Sequence, residues 1–299
     1  MPNFNVYERV TARIIEQLEK GVIPWRKPWR PAVMAGSGKV DLRAVAWNRF
    51  TKTVYSPLNQ MLLSKPGEYA TFSQWVSIGG KIRKGSKSGM ICFWKVLPVK
   101  EKKEDGTEEL KQVPFLKTYN VFHIDDVEGV EPLPVEDLKP EEPEKTLQAA
   151  DAVIDAYTKR EGILIEYGGN RACYSPITDS IRLPERGQFA HLQEFYSTAF
   201  HELTHSTLTA SRCDRREAMG NGFGSELYSR EELVAEIGAS GMLSFLGIET
   251  PKTFTNSAAY IQSWLKVLRD DVKMIVSASS KAEKAIDFIL NGKAAEVAA

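Results

Sequence analysis

Phe200-His201-Glu202-Leu203-Thr204-His205-Ser206-Thr207 decides how the C-terminal half of this 299-residue chain is read. Around it, Leu192, Phe195, Tyr196, Ala199 and Leu203 recur at helical spacing and mark one apolar face. At about 100° per residue, His201 and His205 fall on the opposite side only about 40° apart, where two imidazoles can reach one ion. Glu202 lies about 100° round from His201, placed to contact a water rather than the ion. Two helical histidines four apart, with a glutamate beside the first, thus supply two metal ligands and a general base. The chain has four histidines, and two of them fall here, off the apolar stripe.

A catalytic zinc takes three protein ligands and keeps one position open. No histidine follows His205, and His123 and His191 lie upstream, so a carboxylate must complete the set. Downstream, Ser229-Arg230-Glu231-Glu232-Leu233-Val234-Ala235-Glu236-Ile237-Gly238-Ala239 reads as a helix that is apolar nearly all round past its first turn, and hence buried. Glu232 and Glu236, four apart, share one stripe and need partners there. Glu232 is assigned as the third ligand. Glu236 is assigned as acceptor of a ligand histidine's free N–H, and as reserve ligand if the register is one turn off. Ser229-x-x-Glu232 also fits a capping box, which competes with the ligand role. Glu231 points about 100° away from the stripe and is passed over. A His₂Glu set suits Zn²⁺ and also accepts Mn²⁺ or Co²⁺. Tyr174 and Tyr228 are both candidates to stabilise an oxyanion.

Working outward, the composition is that of a globular protein, 42% hydrophobic and 26% charged. No stretch reaches the roughly 20 apolar residues of a membrane helix, so no membrane partner is expected. Three cysteines in no CxxC pair read as reduced thiols of a cytoplasmic protein. The N-terminus carries Val10, Ile14 and Leu18 on one face of a helix ending near Gly21, a pattern unlike a signal peptide. The net charge of zero hides a polarity: residues 1–100 carry +12, residues 101–150 carry −8 and the remainder −4. A basic first third points to an anionic partner such as nucleic acid.

Residues 98–113 are charged around Asp105-Gly106 and read as a long solvated hairpin connection. Residues 131–145, with four prolines among acidic side chains, read as an extended linker. They divide the chain into domains at 1–130 and 146–299. In the second, a helix at 146–160, strands at 163–167, 172–174 and 180–183, then helices at about 191–209, 229–246 and 257–291 give an α+β order.

Five of the six tryptophans lie before residue 100, among basic residues. Trp47, Trp75 and Trp94 read as core. In Pro24-Trp25-Arg26-Lys27-Pro28-Trp29-Arg30, prolines and three cations favour an exposed, irregular run. Gly79-Gly80-Lys81-Ile82-Arg83-Lys84-Gly85-Ser86-Lys87 is a glycine-flanked basic loop. Exposed rings can stack on unpaired bases while cations follow the phosphates. Trp25, Arg26, Lys27, Trp29, Arg30, Arg49, Lys81, Arg83, Lys84 and Lys87 are therefore the candidate DNA-binding residues.

The segments FHELTHST (200–207), EELVAEIGA (231–239), ACYSPITDSIRLP (172–184) and AYIQSWLKVLRDD (259–271) together resemble the zincin-like metallopeptidase domain of ArdC-type antirestriction proteins. IIEQLEKGVIPWRKPW (14–29), YSPLNQMLL (55–63), TFSQWVSIGGKIRKGSKSGMICFWK (71–95) and TYNVFHID (118–125) resemble the N-terminal domain that family shares with certain plasmid primases. After HELTHST the family tends to have a Gly-His step where this chain has LTASRCDR, which leaves Arg212 and Arg215 without an inherited role. The resemblance implies an N-terminal α+β module binding single-stranded DNA and a C-terminal zincin-like metalloprotease. It also implies that the protein shields an incoming plasmid strand from host restriction, and a protease would act on a host protein that sequence does not identify. The rival reading is a DNA-coating protein whose metal site is structural or dormant.

Overall fold

The computed structural model describes residues 5–26, 41–102, 108–136, 143–218, 226–248 and 258–292. The chain starts with helix α1 (Val6–Glu19), set by a capping box between Asn5 and Glu8. Its buried stripe is Val10, Thr11, Ile14 and Leu18. A single 3₁₀ turn follows at Pro24–Arg26. Next come β1 (Ala46–Asn48), α2 (Pro57–Leu62), β2 (Gly67–Thr71), α3 (Phe72–Ser77), β3 (Lys81–Ile82), β4 (Gly89–Lys102), β5 (Glu108–His123) and β6 (Val127–Glu128). The second half runs α4 (Pro143–Glu161), β7 (Leu164–Tyr167), β8 (Cys173–Ser175), β9 (Ser180–Leu183), α5 (Leu192–Ser206), α6 (Glu226–Leu246), α7 (Ala258–Asp270) and α8 (Met274–Asn291). The fold is α+β in both halves.

In the first half the strand order is β1-β2-β5-β4, with β1 parallel to β2 and the other pairs antiparallel. In the second half it is β7-β9-β8, with β7 parallel to β9 and β8 antiparallel. The charged stretch read as a hairpin connection is largely strand: pairing of β4 with β5 runs out to Lys102 opposite Glu108. Asp105-Gly106 lies outside the described residues.

One core cluster joins the two halves. Val10, Ile14 and Leu18 of α1, Trp25, Met61, Met90 and Cys92 pack with Leu233 and Ile237 of α6, Trp264 and Leu268 of α7, and Ile275 of α8. Thr11 Oγ1 donates to the carbonyl of Val272 at 2.7 Å. Each fully buried aliphatic of this kind is worth about 1.5–3 kcal/mol. The two halves therefore share a core across the segment 131–145, of which residues 131–136 and 143–145 are described. Its first residues are held as well: Leu133 N–H donates to Glu68 and Arg49 donates to the carbonyl of Glu131, while its last three begin α4.

Candidate metal centre

Helix α5 lies against β8 and β9 through Phe195, Ala199, Phe200 and Leu203, which join a core with Ile181 and Leu183. That burial turns His201 and His205 to the side where α6 crosses. The crossing is close because residue 238 is glycine: a Cβ there would stand 2.6 Å from Thr204 Oγ1 and Cγ2. The approach brings the carboxylate of Glu232 onto both imidazoles. His201 Nε2 and His205 Nε2 are 3.0 Å apart, and the Glu232 oxygens lie 3.6 and 3.4 Å from them. Two donors held at 2.0–2.1 Å from one tetrahedral ion stand about 3.3 Å apart, so this donor set fits a small divalent cation without rearrangement. Among the described residues it is the group of His, Cys and acidic side chains that could hold one.

Burial disfavours charge on His205, but Glu231 and Glu232 outweigh it and raise its pKa to about 10. Glu232 moves the other way: burial raises its pKa, and the two histidines pull it far below the ordinary range. The opposed shifts are those of a buried carboxylate–imidazole pair in which each partner favours the charged form of the other.

The carboxylate behind His205 is Glu231, not Glu236. His205 Nδ1 is 3.4 Å from Glu231 Oε1. Arg215 grips the same carboxylate with Nη2 at 2.7 Å and Nε at 2.9 Å, and donates also to Thr207 Oγ1 and the Thr204 carbonyl. An imidazole carries nitrogens on opposite sides, so consecutive glutamates about 100° apart on α6 can straddle one ring. Helical spacing alone does not show this contact, because it places whole side chains on one face. Arg215 is the structural sign of this role, since a cation this buried requires a carboxylate.

Glu236 instead pairs with Arg26, which reaches across from the first half at 3.0 Å and lies 4.6 Å from the Tyr260 ring centroid. Trp25 is 3% exposed and meets Trp264 edge-on at 5.8 Å, while its carbonyl accepts from Ser240 Oγ. Trp25 is thus core rather than a stacking platform, because α6 and α7 supply it an apolar socket. Arg26 is held by an ion pair. Arg49 serves the buried Glu68 at 2.5 Å, a carboxylate that needs a cation once desolvated. Lys27, Trp29 and Arg30 lie outside the described residues. Lys81, Arg83, Lys84 and Lys87 are exposed.

Glu202 is 7% exposed. Burial raises its pKa against the pull of His201 and His205, and the backbone N–H of Tyr174 on β8 donates to it. The Tyr174 hydroxyl donates to Asp179 at 2.8 Å. Arg212 locks that aspartate from the far side and caps the Ser206 carbonyl. The Tyr228 hydroxyl is hydrogen-bonded to Glu232, and burial together with Glu232 pushes its pKa up to about 12. Of the two candidate tyrosines, Tyr228 stands at the donor cluster.

Residues 152–281 match the zincin-like metallopeptidase family, and residues 4–122 match the N-terminal domain of anti-restriction factor ArdC. Fold and domain matches define a zincin-like metallopeptidase domain fused to an ArdC-type N-terminal domain. Crystal structures of the antirestriction ArdC protein from plasmid R388 align over 97% of this chain and 98% of theirs. The metal-free form gives 31% identity and a TM-score of 0.68, the Mn(II)-bound form 30% and 0.66. This chain belongs to the ArdC antirestriction family. Two DNA primases TraC of Escherichia coli are 34% identical over 97% and 95% of the chain, which spans only 20% and 27% of their length. The uncharacterized protein y4eC of Sinorhizobium fredii is 28% identical, with 91% of its length covered. No helix among the described residues is long and apolar enough to cross a membrane.

Proposed function

We propose that this chain is an antirestriction protein of a mobile element that binds single-stranded DNA and hydrolyses peptide bonds at a metal centre held by His201, His205 and Glu232. The observation that carries the reading is the convergence of those three donors within 4.8 Å of one another, with Glu202 next to them in sequence and outside the donor set. Zn²⁺ is the expected ion, with Mn²⁺ or Co²⁺ as alternatives, and when bound it polarises a scissile carbonyl and acidifies the attacking water. Glu202 takes the proton from that water and returns it to the leaving amine. Its buried, raised pKa suits a group that must both hold and release a proton. Tyr228, whose hydroxyl donates to Glu232, would be released to donate toward the carbonyl oxygen once Glu232 holds an ion. Arg215 and Glu231 fix the ring of His205. Arg212, Asp179 and Tyr174 fix strand β8, whose backbone holds Glu202. The substrate is a host protein met in the cytoplasm.

Glu202→Ala tests this reading. The variant should keep fold and metal, and lose peptide cleavage by about 10²–10⁴, read by comparing the proteomes of recipient cells receiving either form. Unchanged cleavage in Glu202→Ala removes the proposed chemistry. A second reading, a DNA-coating protein with a structural or dormant metal site, is supported by the exposed cations on β3 and the loop after it, which carry no metal donor. It expects Glu202→Ala to protect incoming DNA as well as wild type.

A further inference from the structure

The PWRKPWR run begins by burying its first ring, yet the first half does present aromatic rings to solvent, on the β4–β5 ribbon. Strand β2 pairs only with residues 121–123 of β5. Beyond them, β4 and β5 continue as a two-stranded ribbon. One face of its base is covered: Met90 and Cys92 are buried, Leu116 packs against the shared core, and Arg9 of α1 donates to Thr118 Oγ1 at 3.0 Å. The opposite face carries Phe93 and Tyr119, 47% and 37% exposed. The register sets Lys117 directly across from Phe93, and Tyr119 across from Ile91. Phe93 and Tyr119 are therefore diagonal neighbours on one face, about 7–8 Å apart. The Lys117 ammonium lies 5.0 Å from the Tyr119 ring centroid. Neither ring joins any core cluster among the described residues.

What covers this face is set by charge. Strand β4 follows directly from the loop bearing Lys81, Arg83, Lys84 and Lys87, all exposed, with Arg83 3.5 Å from Glu128, and the exposed Lys117 adds a cation on the platform itself. A second copy, equally cationic in this region, would be repelled, whereas a polyanion is drawn in. Of polyanions, one with unpaired planar bases also uses the rings: aromatic faces stack on bases while cations track phosphates. We infer that Phe93, Tyr119 and Lys117 form the platform on which bases of single-stranded DNA stack, with the loop Lys81–Lys87 following the phosphates into it. The inference rests on the single-stranded-DNA reading above and gives it a place on the ribbon instead of at Trp25 and Arg26.

The test uses the full chain and a fluorescein-labelled oligo(dT), with affinity measured by anisotropy at several salt concentrations. Phe93→Ala and Tyr119→Ala should each weaken binding by roughly 5- to 150-fold. Phe93→Trp should preserve binding and show quenching by oligo(dT) beyond that of wild type. Lys117→Ala should reduce the log–log salt slope by about 0.7. Both rings stand outside the cores, so the melting temperatures of the alanine variants should match wild type. If wild type ignores oligo(dT), the DNA reading falls and the platform with it. If wild type binds and the folded alanine variants bind equally, or Phe93→Trp shows no added quenching, the platform alone is overturned. Loss of self-association in place of DNA binding would make the face a contact between copies and overturn the inference.

Discussion

Replacing Glu231 by alanine removes one carboxylate from two buried partners at once. Arg215 is 2% exposed and Glu231 7%, and their two contacts at 2.7 and 2.9 Å form a bidentate pair. Burial pushes the Glu231 carboxyl up, but hydrogen bonds from Arg215 and His205 hold it below the ordinary range. Among the described residues, truncation leaves the guanidinium with only Thr207 Oγ1 and the Thr204 carbonyl. Stranding a buried charge in this way costs roughly 3–5 kcal/mol. His205 simultaneously loses the group facing its Nδ1, and removing such a partner lowers metal affinity by about 10–100-fold. The assay is urea unfolding of the metal-free protein as wild type, Glu231→Ala, Arg215→Ala and the double variant, paired with Mn²⁺ titration of each. Because the two side chains touch, the double variant should be less destabilised than the two single losses added together. Additive losses and an unchanged Mn²⁺ affinity in Glu231→Ala would refute the reasoning. So would loss of metal in Glu236→Gln with retention in Glu231→Ala, which would restore Glu236 as the histidine's partner.

Further predictions follow from close packing and from titration. Gly238→Ala should force α6 off Thr204 and carry Glu232 away from the histidines; overpacking of this kind costs about 1–3 kcal/mol, and calorimetry together with Mn²⁺ titration should show both stability and affinity reduced. His123 is neutral in the fold, donating from Nε2 to the Pro66 carbonyl and accepting the Asp125 N–H at Nδ1. Burial, helped by Lys65, lowers its pKa against the pull of Asp125. The unfolded chain therefore takes up this proton first, so stability is full above about pH 6.5 and is lost as pH falls toward the lower folded value. Melting temperatures recorded from neutral pH to about pH 5 should show that slope in wild type and a shallower one in His123→Gln.

The parts of this protein that were legible in its sequence are those set by local periodicity. The apolar stripe of α5 fixed which way His201 and His205 face, and β9 occurs at 180–183, directly after the turn at Pro176–Asp179 that marks its start. Where partners come from far along the chain, local sequence does not show them. Pro24-Trp25-Arg26 has the composition of an exposed run, yet its partners Glu236, Ser240 and Trp264 lie more than 200 residues away, and nothing local announces them. A charged strand such as 98–102 cannot be told from a charged loop by composition, since its pairing with β5 is made by the backbone. The C-terminal stretch 257–291 read as one helical region and is two helices, broken at 271–273 where Asp271 N–H closes onto the Val267 carbonyl and its side chain accepts from Lys273 N–H. Glu231 was missed for a subtler reason: a helical wheel ranks directions of Cβ atoms, while the deciding contact is made at the far nitrogen of an imidazole ring.

Glu232 and Glu202 divide the labour of the proposed centre, one holding the ion and the other the proton. Metal content and Mn²⁺ and Zn²⁺ affinity of purified wild type, Glu232→Ala and Glu202→Ala test that division directly. Wild type should bind one ion per chain, Glu202→Ala should bind it with similar affinity, and Glu232→Ala should lose it. A Glu232→Ala protein that keeps its metal, or a Glu202→Ala protein that cannot bind one, would contradict the assignment.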